Sequence, residues 1–125
     1  MIHRIRIQTN NDLRRAVQHF NGGEWRDALL VFEQFWLVER RDELKAYVQL
    51  SNAVMQLHDG YVSSPRRLMQ RVFQILTTEP ATLGIDVAQL LRAVLQVQAI
   101  IPHEGESGEV SLLGPVPSIM IVWHA

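Results

Sequence analysis

Residues 24–38 read EWRDALLVFEQFWLV. Trp25, Ala28, Leu29, Phe32, Phe35 and Trp36 recur at spacings of three and four, which places them on one broad apolar face of a helix. Leu30, Val31, Leu37 and Val38 carry apolar character around most of the remaining circumference. A helix this greasy belongs either at the centre of a bundle or at an interface between copies.

Working outward, the same period marks four more helices. Asp12 to Phe20 forms a short one, with Asn10 or Asn11 as its cap and Asn21-Gly22-Gly23 as its stop. Before it, Ile5 and Ile7 alternate with Arg4, Arg6 and Gln8, so residues 1–9 read as a strand. A third helix runs from Asp42 to His58 with Leu44, Tyr47, Val48, Ser51, Val54 and Met55 on one face, stopped by Asp59-Gly60. No Gly or Pro separates it from the second at Glu39-Arg40-Arg41, which leaves two helices or one bent helix open.

A fourth helix is expected to begin with Ser64 as cap and Pro65 as first helical residue. Leu68, Val72, Ile75 and Leu76 form its stripe. After a linker over residues 77–84, Asp86 caps a fifth helix, with Gln89 three residues on and Val87, Leu90, Leu91 and Val94 inside. Residues 103–108 are acidic and glycine-containing, a loop. The end, GPVPSIMIVWHA, is too apolar to hang in water. Ile119, Ile121 and Trp123 are expected to pack on the bundle, on the Ile5/Ile7 segment, or on a second copy.

The 125 residues thus make one all-α domain, a compact bundle of about five helices with short extended segments at both ends. At 47% hydrophobic and 20% charged the chain has enough apolar material for a core. A net charge of −1 argues against general nucleic-acid or anionic-membrane binding. The absence of cysteine excludes disulfides and thiolate chemistry. With neither a secretory leader nor an apolar run of about 18 residues, the expected location is the cytoplasm.

The segment FNGGEWRDALLVFEQFW, residues 20–36, resembles the bacterial and plastid family catalogued as domain of unknown function 309. That family shows Phe-Asn-x-Gly-Glu-aromatic, then Ala-His-Glu two residues on, a Leu-Glu pair and a Trp. Phe20, Asn21, Gly23, Glu24, Trp25, Ala28, Glu33 and Trp36 fall in register, as do Gln49 and Leu50 on the next helix. The likeness spans residues 13–76. Leu29 and Leu30 stand at the His-Glu positions, and Gln56 stands at a later His. The resemblance implies a metal-binding or acid–base cluster in the family. One carboxylate with amides is a poor donor set for a divalent metal, so this chain is expected to have lost it.

Five sets of residues are candidates for function. Glu33 with Gln49, Asn52 and Gln56 could line a ligand pocket between helices two and three, or be a partly buried carboxylate satisfied by amides that set helix register. The structural reading is preferred. Trp25, Trp36, Ile119, Ile121 and Trp123 are the anchors of an expected interface. Arg66, Arg67 and Arg71 could bind an anion, against the plainer reading of a solvated face. His3, His19, His58, His103 and His124 lack metal-ligand spacing, and His58 is expected to meet helix-end carbonyls. Ser63 and Ser64 lack a glycine elbow or a triad partner. No catalytic residue, metal or cofactor is assigned. The expected function is a non-catalytic, self-associating structural or interaction module. Its rivals are a small-molecule binder or enzyme using Glu33, and an anion or nucleic-acid contact.

Overall fold

A computed structural model describes residues 2–102, 112 and 114–124, with side chains from residue 11 onward. Five helices follow in order: α1 Ile2–Asn21, α2 Trp25–Glu39, α3 Asp42–His58, α4 Ser63–Thr78 and α5 Val87–Ile100. The expected strand at the N-terminus is helix instead, and Asn10 and Asn11 lie inside it rather than capping it. Two alternating isoleucines make a weak strand signal, and no strand among the described residues offers them an edge. Nothing in residues 2–11 breaks a helix that Leu13, Ala16, Val17 and Phe20 anchor to the core.

The turn after α1 closes in a reciprocal pair of hydrogen bonds, Glu24 N–H to His19 C=O at 2.8 Å and Gly23 N–H to Phe20 C=O at 3.1 Å. This Schellman arrangement requires a left-handed residue, and Gly23 supplies it at φ 79°. Gly60 does the same after α3, at φ 94°.

The open question between α2 and α3 resolves as two helices. Arg40 ends α2 in the left-handed region at φ 55°, its N–H bonded to Trp36 C=O at 2.7 Å. Such a conformation costs a non-glycine residue about 1–2 kcal/mol. Part of this is offset where the Arg40 guanidinium lies 4.9 Å from the centre of the Trp36 ring.

Helix α4 begins two residues early. Val62 is its cap residue, no side chain caps it, and Pro65 is its third helical residue rather than its first. The early start still suits proline, because the first four N–H groups of a helix have no intrahelical acceptor. At α5 the expectation holds: Asp86 Oδ1 accepts from Gln89 N–H at 3.1 Å.

The core gathers around α3, not α2. Nine residues of α3 are buried, including Leu44, Tyr47, Leu50 and Val54, against three of α2, Ala28, Phe32 and Phe35. α3 packs between α2 and α4, while α1 lies along α2. The tail completes the bundle. Ile119 and Ile121 are buried, and Ile85 and Trp123 form an antiparallel bridge. No helix among the described residues is long and apolar enough to cross a membrane.

Candidate functional site

The amides and carboxylate expected to meet between α2 and α3 do not meet. Tyr47 faces α2, its ring stacked on Phe32 with centroids 5.5 Å apart. Gln49 follows Tyr47 by two residues, about 200° around the helix, so it points toward α4 instead. There it lines a cavity of about 320 Å³ with Lys45, Arg71, Gln74, Ile75 and Thr78. Gln56 Nε2 donates to Asn52 Oδ1 at 3.0 Å, one turn apart on the same helix. Glu33 is exposed on α2, not partly buried, and accepts nothing from these amides.

The three arginines diverge as well. Arg66 lines a cavity of about 180 Å³ with Gln70, Gln98, Ile101 and Pro102. Arg71 lines the α3–α4 cavity, and Arg67 is exposed on the same stripe of α4 one turn earlier. Adjacent residues on a helix point about 100° apart, which is why one short run serves two places.

Of the proposed anchors, Ile119 and Ile121 are already spent inside their own protomer. Trp25 is half-buried and stacked on the His58 imidazole, centroids 4.3 Å apart. His58 therefore meets a ring rather than the helix-end carbonyls expected of it. Trp36 is half-buried beneath Arg40, and Trp123 remains 39% exposed. Three large aliphatic side chains of α2 are exposed as well, Leu30 at 46%, Leu37 at 49% and Val38 at 55%.

The residues carrying the family resemblance have packing duties. Phe20 and Ala28 are core, and Gly23 makes the turn. Asn21 fastens the tail: its Nδ2 donates to Ile121 C=O at 2.9 Å and its Oδ1 accepts from Ile121 N–H at 2.8 Å. Beside this clamp lies a cavity of about 340 Å³, walled by Phe20, Trp25, Val54, His58, Val116 and Ile119 among others. Across the Gly turn, His19, Glu24 and Asp27 bring donor atoms within 4.8 Å of one another, with His19 Nδ1 3.1 Å from Glu24 Oε1. Both carboxylates are exposed, and such a group does not make a metal site by itself.

One polar constellation has no signal in the sequence. Glu43, only 3% exposed, accepts at Oε1 from Thr82 N–H and Thr82 Oγ1, both at 2.8 Å. Its Oε2 and the Tyr47 hydroxyl are buried without a hydrogen-bond partner among the described residues. Burial, reinforced by the nearby Glu43 carboxylate, pushes the Tyr47 phenol well above its ordinary range. An acid in the first turn of a helix reads as a solvated, dipole-favoured residue, and only the 79–82 linker folding over Glu43 buries it.

No protein-family model, curated protein or solved structure matches the chain.

Proposed function

We propose that this chain is a non-catalytic interaction module that pairs with a second copy of itself through the outer face of α2. The observation that carries the reading is the set of large aliphatic side chains left half-open on one helix, Leu30, Leu37 and Val38. The apolar girth of α2 requires a place either at the centre or at an interface; with α3 at the centre, the second alternative remains. Asp27, Leu30, Gln34 and Leu37 follow one another at three- and four-residue spacing along that face.

The spacing is self-complementary. An antiparallel pair of α2 helices centred between Glu33 and Gln34 sets Leu30 of each copy against Leu37 of the other. A two-fold contact demands this reciprocity, in which residue i meets j and j meets i. The resemblance to the family of unknown function fits a divergent, non-catalytic member: its matched residues fold the turn and hold the tail, while leucines fill two of the positions that carry titratable groups in the family.

Multi-angle light scattering of the full chain tests the pairing. The expected result is a dimer that Leu37→Glu converts to a monomer with an unchanged helical circular-dichroism spectrum. A strict monomer at concentrations on the order of 1 mM, where even weak pairing shows, would sink the reading.

A further inference from the structure

The groove between α3 and α4 faces away from α2 and carries a different chemistry. On α3, Lys45, Gln49, Asn52 and Gln56 recur at spacings of four, three and four. On α4, Arg67, Arg71, Gln74 and Thr78 do the same. These are helical stripes of polar residues. Lys45, Gln49, Arg71, Gln74 and Thr78, with Ile75, together line the cavity of about 320 Å³.

The charges in it are unopposed. No ion pair holds Lys45, Arg67 or Arg71 among the described residues, and no carboxylate lines the cavity. Asp42, one turn ahead of Lys45, lines a separate cavity with Glu43 and Glu79. Two of the neutral groups have acceptor capacity to spare. Gln49 Oε1 is buried and receives no hydrogen bond. Thr78 Oγ1 spends its hydrogen on Gln74 C=O at 2.8 Å, which leaves its lone pairs to the groove.

We infer that this groove binds a small phosphate monoester bearing hydroxyl groups, of the sugar-phosphate class. Two cations of different kinds answer a dianion: the Arg71 guanidinium takes two oxygens in its plane, and the Lys45 ammonium supplies a point charge. The hydroxyls answer Thr78 Oγ1, on an exposed residue of the groove, and the Gln49 amide, whose buried Oε1 must turn outward to receive the donor it lacks. Inorganic phosphate satisfies the first requirement and not the second; a neutral sugar does the reverse. The volume suits a compact ligand and is too small for a nucleic-acid duplex. The residues involved are not those of the α2 face, so a monomer in light scattering leaves this inference standing.

Titration of the ¹⁵N-labelled full chain with glucose 6-phosphate, inorganic phosphate and glucose at physiological salt tests it. Glucose 6-phosphate is expected to shift amides of residues 45–49 and 71–78 and to bind about tenfold tighter than phosphate, with glucose silent. Arg71→Gln and Lys45→Gln each weaken both anions about tenfold. Gln49→Leu keeps both cations, and is expected to weaken glucose 6-phosphate while leaving phosphate unchanged. Equal affinity for phosphate and its ester, an adventitious ion only, overturns the inference. So do shifts that map elsewhere, or tighter binding of a single-stranded RNA oligomer than of the ester.

Discussion

The tail seam and the first turns of α3 bury polar groups in opposite ways. Where the tail crosses the bundle, its backbone groups at Ile121, Val122 and His124 are spent on Asn21, Asp86 and Gly84. Both the N–H and the C=O of Ile121 go to the Asn21 amide, Val122 C=O accepts from Asp86 N–H at 2.8 Å, and His124 N–H reaches Gly84 C=O at 2.7 Å. At the N-terminal end of α3 Glu43 Oε1 is doubly satisfied, yet Glu43 Oε2, the Tyr47 hydroxyl and the Trp36 indole nitrogen Nε1 have no partner among the described residues. A buried polar atom stabilises a fold only when its bond replaces the one lost to water. The seam is therefore a fastener, whereas the Glu43–Tyr47 end is stable in spite of its polar atoms.

Replacing side chains at the two places should expose that contrast. The largest effect is expected at the seam's apolar anchor. Ile121→Ala removes a fully buried side chain and should lower stability by about 3 kcal/mol in urea denaturation, with little change in slope. A loss below about 1 kcal/mol would mean that the tail is dispensable to the fold. Asn21→Ala comes next. It leaves the Ile121 N–H and C=O unpaired and should cost about 2 kcal/mol, additional to its loss of packing.

The smallest effect belongs to the first turns of α3 and carries the opposite sign. Tyr47→Phe deletes a hydroxyl that bonds to nothing, so stability should hold or rise by a few tenths of a kcal/mol. A clear loss would show that the hydroxyl has found a partner and that the contrast is false. The same phenol gives a pH test. Folding raises its pKa, so the folded chain keeps the proton after the unfolded chain has released it. Stability should fall as pH climbs past the unfolded value of about 10, at about 1.4 kcal/mol per pH unit. In a Tyr61→Phe background, phenolate absorbance should appear only together with unfolding; ionisation of the intact fold would refute the burial.

Much of the helical layout is legible in the sequence. The α3 boundaries, the Asp86 cap with Gln89, and the stops at Gly23 and Gly60 all follow from interactions within a few residues of chain. The failures are equally specific. Residues 2–9 read as extended because two isoleucines alternate with polar neighbours, but a strand needs a partner and a helix does not. Ser64 and Pro65 read as a helix start, although Val62 already occupies the cap position. Glu33 reads as buried because its sequence neighbours Phe32, Phe35 and Trp36 are apolar, whereas on the helix it projects away from them.

Residue order alone makes the chain helical, places most of its helices, and gives α2 more apolar surface than one face can bury. Such features depend on backbone propensity, side-chain period and end caps, all of which act over a turn or two. Packing in three dimensions settles the rest: α3 rather than α2 is central, Gln49 faces α4, and residues 79–82 close over Glu43. It also selects the bundle, among the three sites open to the tail, as the place where Ile119 and Ile121 are buried. These outcomes depend on how helices rotate and stack, and contacts such as Asn21 with Ile121 join residues a hundred positions apart in the chain.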